Sequence, residues 1–335
     1  MKTTLALLLF ICVLISCEKT EEAEQFEFDL ETQGESVLFV QWAEIGPEYS
    51  IHLFASATDN FEQIASASSA NASEGSAILY DLSAMTAYYL KIEVKNGEEL
   101  LWSDIREFST KYTQRNVKYG TTGEEELCAS VAYVSDRLMS DSKVAIFMHE
   151  FQSSKSSWYK TAIPDTLIKD GYLCVAIDFK GHGCSSFTDD VTRLLEEPWL
   201  LREDFDATIH MLDTIGLPHS QEIVVLGASM GACVATCVSS YENVLGGVAA
   251  SAVRKLSEEM LNVPLIPKGM FYLAGELDKN VAKDIYFEKD ARDLFETTRE
   301  PGKVVIVPGT SEHGVMIFES SLSLTAEAIA WVRSL

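Results

Sequence analysis

Hydrophobic and polar positions follow three different rhythms along this chain. Shortly after Met1-Lys2, an unbroken apolar run covers Leu5 to Ile15, and a polar, acidic stretch follows from Glu18. Residues 25 to 110 then alternate with a period of two. In "SVLFVQWAEI", Val37, Phe39 and Gln41 fall on one face and Leu38, Val40 and Trp42 on the other. "YSIHLFASA" and "SAILYDL" are further short strands, with Asn, Gly and Ser between them. Short strands spaced by turn residues, with no helical period, predict a β-sandwich. From about residue 111 the pattern changes again. Apolar strand-like runs, "KVAIFMH", "YLCVAID", "EIVVLG", "GGVAASA", "GMFYLAG" and "KVVIVPG", are separated by helix-like segments. A helical stretch is expected near Trp158 to Lys169, another over "LREDFDATIHML", and a last one over "SLTAEAIAWVRSL". This alternation predicts a mainly parallel sheet with helices on both faces. Such sheets place their chemistry at the carboxyl ends of the strands.

The totals narrow the function classes. At 335 residues the chain is long enough for two domains, and 47% hydrophobic residues make it a folding rather than a disordered sequence. A formal net charge of -25 with no basic block repels phosphate backbones, which argues against a nucleic-acid partner. The apolar run at Leu5 to Ile15 is short for a membrane span and fits a signal-peptide core. "LISC", ending at Cys17, resembles a bacterial lipobox, and the residues after it resemble a surface-export signal. The resemblance implies lipidation at Cys17 and anchoring in the cell envelope, as an outer-membrane, periplasmic or surface-exposed protein. The expected organisation is a signal peptide over 1–17, a tether over 18–24, a β-sandwich over 25–110 and an α/β domain over 111–335. After Cys12 and Cys17, five cysteines remain: Cys128, Cys174, Cys184, Cys233 and Cys237. An odd number at irregular spacing predicts no disulfide framework, and Cys233 and Cys237, four apart on one helix face, read as small buried hydrophobes.

Within the β region, "LSAMTAYYLKIEV" carries Leu82, Thr86, Tyr88, Leu90 and Ile92 at the spacing of L-x-P-x-T-x-Y-x-V-x-V. It resembles a fibronectin type III domain, with Ala84 in place of the usual Pro. The resemblance implies that Tyr88 is the tyrosine-corner residue, Trp42 the early core Trp and "SDIREFST" the last strand. No Ser/His/acid cluster stands out in this region, and the lone His52 reads as structural. Spacing or docking, to carbohydrate or protein, is the expected role.

The α/β region holds the candidate chemistry. Gly227-Ala228-Ser229-Met230-Gly231 reads G-x-S-x-G between a strand and a helix, the context of a nucleophile elbow. The turn would raise Ser229 as nucleophile and aim the backbone N–H of Met230 into the site from the helix start. A Ser hydroxyl needs a base. His313, in "PGTSEHGVM" after the last strand, is the candidate, since His210 and His219 fall away from the carboxyl edge. Asp278, in "LAGELDKNV", is the expected acid, with Glu276 as rival.

The chain order Ser, Asp, His resembles the α/β-hydrolases over residues 115 to 335. "AIDFKGHGCSS" is similar to that family's D-x-R-G-H-G-x-S segment, with Asp178, Gly181, His182, Gly183 and Ser185 in register and Lys180 at the basic position. "FMHEFQSS" resembles its oxyanion segment, with Glu150 replacing the common Gly, and implies the backbone N–H of Phe151 as second oxyanion donor. About sixteen residues join Ala252 to Lys268, too few for a large cap, so an open site is expected, with Phe187 and Trp199 as a small rim. The expected activity is serine hydrolysis of a carboxylic ester, small or glycan-linked, with no cofactor and no metal. A serine peptidase of the same fold and an inactive binding protein are the alternatives.

Overall fold

The structure, a computed structural model, describes residues 26–33, 35–43, 45–120, 125–261 and 263–335. The lipobox Cys17, the signal run and the tether lie outside these residues. The chain divides into a smaller unit ending near Ser109 and a larger one from Thr110 onward.

The smaller unit is built from seven strands: β1 (Phe28–Gln33), β2 (Val37–Trp42), β3 (Tyr49–Ser56), β4 (Ile64–Asn71), β5 (Ser76–Leu79), β6 (Ala87–Asn96) and β7 (Glu99–Ser109). They form two antiparallel sheets, β1-β2-β5 and β4-β3-β6-β7. The period-two pattern decides which residues face inward. Leu38, Val40 and Trp42 of β2 are buried, together with Ile51 and Leu53 of β3 and Leu90 and Ile92 of β6. Trp42 donates its indole N–H to Ala72 O at 2.8 Å, so its polar edge is satisfied inside the core. Tyr88 is buried with its ring stacked on Phe108 at 5.5 Å.

The larger unit holds strands β8 (Thr113–Gly120), β9 (Glu126–Tyr133), β10 (Val144–Met148), β11 (Leu173–Asp178), β12 (Ile223–Ala228), β13 (Val244–Ala250) and β14 (Lys268–Gly275). A two-residue hairpin, β15 (Lys279–Asn280) and β16 (Ile285–Tyr286), precedes β17 (Arg299–Val307). One mixed sheet runs β17-β14-β13-β12-β10-β11-β9-β8. The strands from β10 through β14, with β17, are parallel, while β9 joins β11 and β8 joins β9 antiparallel. The helices are α1 (Ile163–Lys169), α2 (Arg193–Glu196), α3 (Trp199–Thr214), α4 (Met230–Val238), α5 (Arg254–Glu259), α6 (Phe287–Thr297), α7 (Met316–Glu319) and α8 (Leu322–Ser334).

Alternate side chains of each parallel strand enter opposite cores. Val144, Ile146 and Met148 of β10 meet Phe205 of α3, Cys233 of α4 and Leu294 of α6 in one cluster. Ala145 and Phe147 pack in the other cluster with Leu167 of α1, Phe318 of α7 and Ile329 of α8. Burial on both faces is why these strands are continuous apolar runs. The helix expected from Trp158 to Lys169 is broken in two. A 3₁₀ stretch covers Lys155–Lys160, and α1 starts afresh with Pro164 in its first turn, where the missing N–H costs nothing.

The cysteine expectation requires a correction. Cys128 of β9 and Cys184 form a disulfide across a sequence separation of 56. The pairing joins a strand to a distant loop, which residue spacing does not reveal. Cys174, Cys233 and Cys237 are free and buried. Among the described residues no helix is long and apolar enough to cross a membrane.

Candidate active site

Ser229 sits between β12 and α4 with φ 50° and ψ -111°. This left-handed conformation is rare for a residue with a side chain. The flanking glycines permit it. A Cβ on Gly227 would lie 2.1 Å from Gly231 O, and one on Gly231 would lie 2.3 Å from Met148 O. Both obstacles are backbone, so only hydrogen fits at either position. Ser229 N donates to Ala250 O at 2.8 Å and Gly231 N to His149 O at 3.1 Å, which pins the turn to the ends of β13 and β10.

Ser229, His313 and Asp278 lie in one hydrogen-bonded line. His313 Nε2 is 2.7 Å from Ser229 Oγ, and Nδ1 is 2.8 Å from Asp278 Oδ2 and 3.1 Å from Oδ1. The carboxylate accepts only, so Nδ1 carries the proton and Nε2 is free to accept from the Ser hydroxyl. Asp278 is buried, and the His313 side chain keeps 34% of its surface exposed, enough to meet a substrate. The imidazole and the Phe287 ring pack edge to face with centroids 4.6 Å apart. Glu276, the rival acid, instead accepts from Gly309 N at 2.7 Å. The ring nitrogens of His219 face Ser220 O at 2.7 Å and Leu212 O at 3.2 Å, and His219 takes no part in the line.

Two backbone donors complete the arrangement. Met230 opens α4, and Phe151 follows β10; both line the same cavity as Ser229. Neither N–H has a hydrogen-bond acceptor among the described residues. The turn that presents Phe151 is held by two histidines. His182 Nε2 accepts from Gln152 N at 3.1 Å, so its Nδ1–H donates to Lys180 O at 2.8 Å. His149 Nε2 accepts from Phe179 N at 3.1 Å and its Nδ1–H donates to Glu150 O at 2.6 Å. Burial holds His149 down to about 4, so it stays neutral and keeps this tautomer.

The cavity measures about 790 Å³. Phe151, Leu195, Val253, Leu256, Ile285 and Phe287 give it an apolar side, and Lys279 and Lys283 of the β15–β16 hairpin stand at its edge. Leu195 of α2 lines it in place of the expected rim residues: Phe187 packs against the core, and Trp199 is 41% exposed away from the lining. The hairpin wall was not foreseen, nor was the buried Ser251, whose hydroxyl bonds Asp278. Both follow strand ends, and that position was the available signal.

The family model for the alpha/beta hydrolase fold matches residues 146–288. An esterase of Pyrococcus furiosus is similar in structure at TM-score 0.50 and 20% identity, covering 67% of this chain and 93% of that one. A hypothetical protein of Pseudomonas aeruginosa aligns at TM-score 0.50 and 13% identity, over 68% and 95%. A dienelactone hydrolase of Anabaena variabilis aligns at TM-score 0.49 and 19% identity, over 67% and 98%. No curated protein matches the sequence. The larger unit has the alpha/beta hydrolase fold.

Proposed function

We propose that the protein is a serine hydrolase that cleaves carboxylic esters through an acyl-enzyme. The observation that carries this reading is the line from Ser229 Oγ through the His313 ring to Asp278. His313 Nε2 takes the Ser229 proton as Oγ attacks the ester carbonyl, and Asp278 steadies the imidazolium that forms. The Met230 and Phe151 N–H groups receive the oxyanion, each worth about 10²–10³ in rate at such a site. His313 then returns its proton to the leaving alcohol. Water, deprotonated by the same nitrogen, releases the acid. The mechanism calls for no cofactor. The similarity to an esterase supports the ester as substrate class, and the cavity, apolar on one side and charged on the other, would take small or glycan-linked acyl esters. An intact hydrogen-bonded line argues against an inactive binding protein. A serine peptidase would also cleave the matching p-nitroanilides, which are amides, at a rate comparable to the esters. The test is Ser229→Ala. Hydrolysis of p-nitrophenyl acetate and butyrate is expected to fall by up to about 10⁶, and labelling by a fluorophosphonate is expected to vanish. Turnover that survives the substitution overturns the assignment.

The envelope location belongs to the same proposal. A lipid on Cys17 would anchor the chain without a spanning helix. The Cys128–Cys184 disulfide supports an oxidising compartment. We also read the smaller unit as fibronectin type III-like. Three strands facing four, with Trp42 and Tyr88 in the core, support that reading. A cavity of about 620 Å³ beside Phe26, Phe28, Trp42 and Arg106 would offer such a unit a place to dock a glycan or protein.

A further inference from the structure

Glu150 poses a question that the proposed mechanism leaves open. It stands where a glycine is expected, one residue before a proposed oxyanion donor, and a carboxylate facing an oxyanion would oppose it. The side chain is turned elsewhere. Its Oε1 accepts from Val315 N at 2.6 Å, two residues beyond the imidazole of His313. Gly314 makes this reach possible, with φ 59° and no side chain: a Cβ there would lie 2.6 Å from Glu150 Oε1.

The neighbouring amide is held from another strand end. Gly314 N donates to Ser251 Oγ at 3.0 Å. The same hydroxyl donates to Asp278 Oδ2 at 2.7 Å, the oxygen that lies 2.8 Å from His313 Nδ1. Ser251 is fully buried and has φ 58°, a strained position for any residue but glycine. Its own N–H is tied to Leu273 O at 2.8 Å. Strain retained at a buried serine beside the acid points to a use for its hydroxyl.

We infer that Glu150 and Ser251 are positioning residues that clamp the His313 segment. Two consecutive amides, 314 and 315, are fixed by two oxygens from the ends of β10 and β13. Ser251 also couples the segment to the acid, so Asp278 and His313 move as one. Such a clamp matters because the base must stay within a fraction of an ångström of Ser229 Oγ. A displacement near 1 Å is worth about 10²-fold in rate. The inference rests on the assignment of Ser229, His313 and Asp278 as an acyl-transfer triad.

The test uses the full chain and p-nitrophenyl butyrate. Glu150→Ala removes the acceptor, whereas Glu150→Gln keeps a carbonyl oxygen on a side chain of equal length. Ser251→Gly removes the hydroxyl and relieves the backbone strain, so it is the variant least prone to misfold; thermal melting checks that it folds. Glu150→Ala and Ser251→Gly are expected to lower kcat by about 10–100-fold, with KM within about threefold of the parent chain because neither residue is assigned a substrate contact. Glu150→Gln is expected to restore kcat to within about threefold, as loss of charge alone leaves the hydrogen bond in place. A folded Ser251→Gly or Glu150→Ala variant with unchanged kcat overturns the clamp. So does a Glu150→Gln variant as slow as Glu150→Ala, because charge and not acceptance would then be the cause. A Ser229→Ala control that keeps full turnover overturns the triad assignment, and the clamp with it.

Discussion

Single residues set the terms of the site. Gly231 is the sharpest case, because its missing Cβ leaves room for the Met148 carbonyl. Gly231→Ala is expected to destabilise the fold by about 1–3 kcal/mol through overpacking and to displace the Ser229 turn. Melting temperature and esterase rate should therefore fall together. Two buried ionisable residues pull stability in opposite directions with pH. Burial raises Asp204 to about 7 despite Lys180 Nζ at 3.3 Å. Between its ordinary value of 3.8 and 7 the folded chain holds a proton that the unfolded chain has released, so stability falls as pH rises. His149 has the reverse sign. Its folded value of about 4 lies below the ordinary 6.5, the unfolded chain binds the extra proton, and stability falls as pH drops from 6.5 to 4. Asp204→Asn removes the first effect alone. Its melting temperature should climb more steeply than the parent's from pH 4 to 6.5, and an unchanged slope would show that Asp204 titrates at an ordinary value. Ser229 and His313 were legible from residue type and strand-end position. The part of Ser251 was not, because a serine after "GGVAA" looks like any small residue until the backbone brings Asp278 beside it.

Elements show where pattern reading succeeds and where it fails. The parallel strands stood out because both faces are buried and nearly every position is apolar, Asp178 at the end of β11 being the charged exception. Helix α6 was missed. Its inward residues Phe287, Ala291 and Leu294 keep helical spacing with charged residues on the opposite face, so the signal was present in the sequence. Strand β8 is a half-exposed edge strand, "TQRNVKYG", with too few apolar residues to register. The disulfide is a link between elements, joining β9 to the loop that carries His182, whose ring supports the Phe151 turn. Closing so long a loop is worth about 4 kcal/mol by chain entropy. Reduction with dithiothreitol, or Cys184→Ser, is expected to lower the melting temperature by several degrees. A melt unchanged by reductant would show that the bond adds nothing to the fold.

At the scale of the whole molecule, net charge bears on the proposed envelope location. A charge of -25 repels anionic membranes, so the attachment proposed above would rest on the covalent anchor at Cys17 rather than on a basic surface. Cys17→Ala is expected to abolish palmitate incorporation and shift the protein from the membrane to the soluble fraction, while the esterase rate per molecule stays unchanged. Retention of the variant in the membrane fraction would remove the lipobox from the account. This part was read from the sequence alone, through a short apolar run and one cysteine, and it falls outside the described residues. The division into a β unit and an α/β unit was legible because the hydrophobic period switches near residue 111.

The mutual fit of Gly227 and Gly231 also bears on how this protein can be redesigned. A crowded side chain can be accommodated by trimming a neighbour, but here each obstacle is a main-chain carbonyl that every amino acid carries. No second substitution can make room. Directed evolution for new substrates is thus better aimed at the cavity wall and the β15–β16 hairpin, while substitutions at the two glycines are expected to lower stability and rate together.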